Sequence, residues 1–383
     1  MMELVIASEA KQSREACDGS EAALDCFGPL GLAMTAQREN ENLFLASPAL
    51  VVRMGGGETA EGEIMTARRR LVRQTESTTL GLLRRQPIPV RRGQDQSKEE
   101  RMAMSIEPLS PALGAAIRGV DLRQPLDAAT VKALNDAFDR SIVVVFRDQE
   151  LSEDDQVRAA SYFGKVHIRR RPANGRTPGG DYDTPFMMVT NIVENGKAIG
   201  AFGDGEMWFH HDTSYYPQPH RATFLYAMKL TSWGGQTCFS NMYKAYDNIP
   251  RPLRDRLEGR NVLQVHDYKR RERIDLGQVA LEKILHHAQP IIITHPATGK
   301  KALYVSRLMS ARIEGFSPED SEAALEQLFD ISEDPSIIYE HEWRLGDLVV
   351  WDNWCSIHAR KDFPREEPRL MRRCTIEGQS LRY

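Results

Sequence analysis

"WFHHDTSYY", residues 208–216, sets two histidines and an aspartate among aromatic side chains. Buried imidazoles and carboxylates cost free energy unless something compensates them. The stretch therefore asks for a partner, either a hydrogen bond or a metal ion. His210 and Asp212 stand two residues apart, and in an extended segment side chains i and i+2 share a face. One imidazole and one carboxylate would then converge on a point, with His211 turned away. No other His-x-Asp or His-x-Glu occurs in the sequence. Alone, the pair reads as a surface contact or a core histidine satisfied by its neighbour rather than as a metal site, since short motifs carry a false-positive risk.

The downstream stretch "GDLVVWDNWCSIHARKDFPREEPRLMRRCTIEG", residues 346–378, changes that weighting. His358 follows an apolar run and a turn. Two histidines and one carboxylate form a facial triad that leaves metal positions open, the ligand set of non-haem Fe(II) oxygenases. No cysteine lies at the His210 motif, which favours Fe(II) over structural zinc.

The 383 residues are 41% hydrophobic and 27% charged, which suits a globular chain of one large domain or two ordinary ones. A net charge of −4 gives no electrostatic case for binding nucleic acid. No window approaches the roughly 18 unbroken apolar residues of a membrane span. The N-terminus does not read as a secretory leader. Five scattered cysteines form no CxxC pair, so neither a disulfide framework nor a thiolate zinc site is supported. A reducing cytoplasm fits that usage. A homo-oligomer is compatible with the sequence, which reveals no interface.

Residues 1–103 lack a sustained apolar period and contain basic runs such as "ARRRLVRQ" and "LLRRQPIPVRRG". They are expected to be a disordered or non-native N-terminal extension, leaving 104–383 as the folded domain. There "DAATVKALNDAFDR" carries apolar residues at helical spacing, with Asp127 or Thr130 as N-cap. "SIVVVFRDQ" is a buried strand by its β-branched run. "SEDDQVRAASYFG" opens on a capping-box-like Ser152. Strands recur in "RATFLYAMKL", "GQTCFSN", "PIIITHPATGKKALYVS", "EHEWRLGDLVVWDN" and "LMRRCTIEG", with "ATGKK" as a hairpin turn. Helices interrupt near "NIPRPLRDRLEG" and "SPEDSEAALEQLF". The expected fold is mixed α/β but mainly β: a double-stranded β-helix (jelly-roll) core with flanking helices.

From about Ser105 to Tyr383 the sequence resembles the taurine/2,4-D dioxygenase family of Fe(II)- and 2-oxoglutarate-dependent oxygenases. The resemblance rests on "PLSPALGAAIRGVDL" followed by "VVVFRDQ", on "WFHHDTSY", on "GGQTCFSN", and on "WDNWCSIHA" followed by "RLMRRCTIEG". It implies His210, Asp212 and His358 as iron ligands. It implies Thr237, 25 positions after Asp212 (237 − 212), and Arg369, 11 after His358 (369 − 358), as partners of the far carboxylate of 2-oxoglutarate. A planar guanidinium suits that task because it grips a carboxylate through two parallel hydrogen bonds. Arg373 matches a second arginine that faces the primary substrate.

The implied reaction consumes O2 and 2-oxoglutarate, yields succinate and CO2, and hydroxylates a C–H bond. A hydroxyl placed beside a heteroatom would collapse with C–O or C–S cleavage. An intact Asp212 argues for hydroxylation over halogenation, because halogenases vacate that ligand position. Phe209 intervenes between Trp208 and His210, a departure from the family pattern. The loop after "FGKVH" is basic and differently built, which argues against taurine as substrate and leaves His167 a structural reading.

Arg373 points to a small anionic substrate, with Tyr215, Phe202, Phe209 and Met207 as candidate apolar wall. Two alternatives remain open at this point. A zinc-dependent hydrolase could use the same ligands, and a non-catalytic sensor could bind 2-oxoglutarate without turnover.

Overall fold

The computed structural model describes residues 104–170, 182–203, 205–266, 274 and 276–383. The expectation for residues 1–103 lies outside them. Among the described residues, two larger sheets carry the architecture. One has seven strands, in the spatial order Ser105–Pro108, Ala115–Arg118, Val143–Phe146, Leu348–Asp352, Ala222–Lys229, Leu370–Ile376, Met187–Thr190. The other has four, in the order Ile338–His341, Thr237–Asn241, Ser356–Arg360, Met207–His210. All the pairings within both are antiparallel except that of Ala115–Arg118 with Val143–Phe146.

Alternation along the strands explains the layers. Val143, Val145, Leu225, Ala227, Val349, Trp351 and Met371 share one core with Phe239, Tyr339 and Ile357 of the four-stranded sheet. Val144, Phe146, Phe224, Tyr226, Leu348, Val350 and Cys374 join a second core with Leu134, Ala137, Phe138, Ala159 and Ala160 from two helices. The central strands are thus covered on both faces, which is why they read as unbroken apolar runs. Phe239 and Trp351 join the two sheets, with ring centroids 5.4 Å apart.

The expected helix starts are present. Asp127 caps Ala128–Ser141 by accepting from the Thr130 amide, and Ser152 caps Glu153–Ser161 in a box with Asp155. Arg251–Leu257 and Pro318–Ser332 occupy the other two anticipated positions. Ile292–Thr294 pairs with Lys301–Leu303 across the "ATGKK" turn. A three-stranded sheet of His286–Pro290, Asn261–Val265 and Ser310–Ile313 was not anticipated. Its strands mix polar and apolar residues without strict alternation. No helix among the described residues is long and apolar enough to cross a membrane.

One buried polar network fixes the turn that delivers His358. The Asp352 carboxylate accepts from the Trp354 amide at 2.9 Å and from His295 Nε2 at 3.1 Å, and Arg221 Nε lies 3.6 Å away. His295 Nδ1 accepts from the Ala297 and Thr298 amides at 3.3 and 3.2 Å, so its proton sits on Nε2. Cys355 lies beside this pair, but both histidine nitrogens are already engaged. The trio is a structural network. Asp352→Ala should cost about 3–5 kcal/mol, because it leaves the buried His295 Nε2–H and the Trp354 amide without their acceptor, while Arg221 keeps Asp139 at 2.6 Å. Urea unfolding measures this, and a loss below about 1 kcal/mol would contradict it.

Candidate active site

The four-stranded sheet brings the two site histidines together by register. Met207–His210 pairs with Ser356–Arg360 so that His210 faces His358, and their ring centroids are 4.1 Å apart. Asp212 arrives differently from the expectation. The strand ends at His210, and Asp212 belongs to the turn that follows. That turn is held by Thr213 at φ 59°, whose carbonyl accepts from the Tyr216 amide and whose Oγ1 accepts from the His220 amide at 2.9 Å. The convergence is thus made by a turn, not by strand parity.

Asp212 Oδ1 lies 4.0 Å from His210 Nε2, and Oδ2 lies 4.0 Å from His358 Nε2. Two metal–ligand bonds of roughly 2.1 Å span up to ~4.2 Å, so one ion can reach all three groups. All three side chains are buried.

The protonation states favour a cation there. His210 Nδ1 donates to the Trp208 carbonyl at 2.8 Å, which leaves the lone pair on Nε2. Burial lowers the pKa of both His210 and His358, keeping them neutral and able to ligate. Burial alone would raise the Asp212 carboxyl. The Arg373 guanidinium and the Thr223 hydroxyl oppose it, and the group is held well below the usual carboxylate range. Oδ2 accepts from Thr223 Oγ1 at 2.6 Å and pairs with Arg373 Nη2 at 2.7 Å. His211 points elsewhere, as expected. It hydrogen-bonds the Asn353 carbonyl, stacks on Tyr304 at 4.0 Å, and burial pushes it down to about 4.

Arg369 precedes the strand Leu370–Ile376 and is 2% exposed. Its Nη2 donates to the Gly235 carbonyl at 3.3 Å, and its guanidinium lies 5.5 Å from the Phe363 ring centre. It has no carboxylate partner among the described residues, and burial with the nearby Arg360 brings it down to about 9. Gly235 sits against it and Gly234 against the Asp362–Phe363 backbone, at φ +70° and +76°. A Cβ on Gly234 would come 2.3 Å from the Asp362 carbonyl, and one on Gly235 would come 3.0 Å from Arg369 Nε. The turn therefore needs both glycines. Thr237, two residues on, is buried and accepts from Trp343 Nε1 at 3.1 Å.

Arg373 makes a contact that the sequence did not foretell, because its guanidinium rests on Asp212. Tyr215 is buried against Tyr216 and His266, with centroids 4.8 and 4.6 Å away. Phe202 and Phe209 pack on the main core. Sequence reasoning missed Arg360 and Thr223. Arg360 pairs in register with Thr237 and donates to the Phe202 carbonyl at 2.7 Å and twice to that of Gly205, tying that loop to the His358 strand. Its place two residues after His358 was the available signal.

Residues 105–375 match the family described as "Taurine catabolism dioxygenase TauD, TfdA family". The chain is 33% identical over 288 residues to pentalenolactone F synthase of Streptomyces avermitilis, covering 68% of this chain and 90% of that one. It is 30% identical over 287 residues to the alpha-ketoglutarate-dependent 2,4-dichlorophenoxyacetate dioxygenase of Cupriavidus pinatubonensis, covering 72% and 98%. Among solved structures it is similar to AAD-2 in complex with Mn(II) and N-oxalylglycine, with a TM-score of 0.58 and 26% identity over 73% of this chain and 99% of that one.

Proposed function

Because the chain belongs to the taurine catabolism dioxygenase TauD, TfdA family and is a 2-oxoglutarate-dependent dioxygenase, we propose that it hydroxylates a small anionic substrate at an Fe(II) centre held by His210, Asp212 and His358. Residues 104–383 are the catalytic domain in this reading, and the two facing sheets form a double-stranded β-helix. The observation that carries it is the convergence of two neutral imidazoles and one carboxylate, in a fold that also holds a buried arginine, Arg369, with no acid partner among the described residues. Nitrogen and oxygen donors with open positions suit iron(II).

When bound, the iron and 2-oxoglutarate supply the oxidising power that a C–H bond demands. The chain's own residues do the rest. Arg369 offers a buried cation for the far carboxylate of 2-oxoglutarate, where exclusion of water strengthens the pair. Thr237, two residues after the Gly-Gly turn, adds a hydroxyl. Arg373 holds Asp212 in place, and its guanidinium also faces the anionic group of the substrate. The relative named for 2,4-dichlorophenoxyacetate supports a carboxylate of that kind. The basic loop after His167 gives no support to taurine.

The zinc hydrolase gives no reason for Arg369, and an intact triad gives no reason for a silent sensor. The test is succinate formation from 2-oxoglutarate with Fe(II) across a panel of aryloxy carboxylates. Stimulation by at least one anionic compound and by no neutral analogue is expected. Turnover confined to neutral compounds, and unchanged in Arg373→Ala, would overturn the substrate class.

A further inference from the structure

His167 and His220 lie in ring contact, with centroids 4.3 Å apart and planes at 45°. The His220 amide binds Thr213, but its Nδ1 is buried with no hydrogen-bond partner among the described residues. Most buried polar groups in folded proteins are hydrogen-bonded, so such an atom calls for an explanation.

The strand register locates the pair. Val166 bridges Ile376, and the His167 amide donates to the Thr375 carbonyl at 2.9 Å. His167 therefore stands opposite Thr375, two residues beyond Arg373 and on the same face of the strand. Thr375 is in register with Thr223, which donates to Asp212. His220 is tied to the same region through its amide, which donates to Thr213, the residue after Asp212. The two imidazoles thus lie together near the Arg373–Asp212 pair, within its electrostatic reach. Burial, His167 and Arg373 push His220 down to about 3, and burial also lowers His167. Both rings are neutral at neutral pH, and a neutral imidazole still donates one N–H.

We propose that His220, backed by His167, is an oxyanion-recognition residue that binds the anionic head of the primary substrate together with Arg373. This rests on the substrate reading given above for Arg373. A neutral donor suits the position, because a second full cation there would compete for Asp212. The shared chemistry is an oxyanion, from either a carboxylate or a sulfate ester.

Calorimetric titration of phenoxyacetate and hexyl sulfate into protein loaded with Fe(II) and 2-oxoglutarate under nitrogen tests this. Wild-type protein should bind at least one probe, and the one preferred identifies the source of the oxyanion. His220→Leu should weaken that probe about tenfold or more, and His220→Gln, which keeps an N–H donor, should recover part of the loss. Affinity for 2-oxoglutarate and melting temperature should stay at wild-type values in both variants. The inference is overturned if both variants bind like wild type, if neutral anisole loses as much affinity as the anion, or if wild-type protein takes up neither probe. Formation of the 2-oxoglutarate chelate in the same sample reports separately on the centre, so the two readings fail independently.

Discussion

Asp212→Ala is expected to lower 2-oxoglutarate turnover by roughly 10³-fold or more, about 4 kcal/mol of barrier. Three effects act in the same direction. The centre loses its only carboxylate, leaving two neutral imidazoles to hold a dication. Arg373 loses the oxygen that anchors it at 2.7 Å, and the Thr223 hydroxyl loses its acceptor at 2.6 Å. Asp212→Asn separates shape from charge, because its amide oxygen still accepts from Thr223 while the negative charge is gone. It should fold with a melting temperature near wild type yet lose most iron affinity. Metal analysis after dialysis, alongside succinate formation, checks both variants. Turnover within tenfold of wild type in Asp212→Asn would show that the charge is dispensable.

Arg369→Ala is expected to raise the KM for 2-oxoglutarate by about 10²- to 10³-fold, the ~3–4 kcal/mol expected when one partner of a buried charge pair is truncated. The magnitude follows from burial. At 2% exposure and with no acid beside it, this guanidinium is a desolvated cation that a carboxylate would satisfy. Arg369→Lys keeps the charge but loses the planar fork, so it should fall between wild type and alanine. The metal content of all three proteins should be equal, since Arg369 touches none of the triad. Titration of 2-oxoglutarate at fixed iron gives the KM. An unchanged KM in Arg369→Ala would place the far carboxylate elsewhere. Without 2-oxoglutarate, the alanine variant is expected to be no less stable than wild type, because it removes an uncompensated buried charge.

How much of this the sequence could reveal depends on how local each feature is. That His210, Asp212 and His358 come together was legible because the His-x-Asp spacing, the downstream histidine and the family resemblance point to the same three residues. The helix caps at Asp127 and Ser152 were legible because capping is a matter of neighbours three residues apart. The turn at Asp212 was not, since it depends on a threonine at positive φ, a conformation that residue rarely adopts. Thr223 and the pairing of His167 with His220 were not legible either, and Arg360 offered only its place two residues after His358. Each acquires its neighbours through register between segments far apart in the chain, such as Thr223 with Thr375 and Arg360 with Thr237. The strands around Asn261–Val265 escaped because their residues follow no clean period of two. Tyr215, expected as substrate wall from its proximity in sequence, has its ring against Tyr216 and His266.

The central claim is that His210, Asp212 and His358 hold an iron that chelates 2-oxoglutarate. The most direct measurement is the visible absorption of the purified protein under nitrogen as Fe(II) and then 2-oxoglutarate are added. A weak charge-transfer band that needs both additions, reaches one equivalent of iron, and is absent in His358→Ala is the predicted result. No band in the wild-type protein, with one equivalent of tightly held zinc in its place, would contradict the account and return the site to a hydrolytic metal centre.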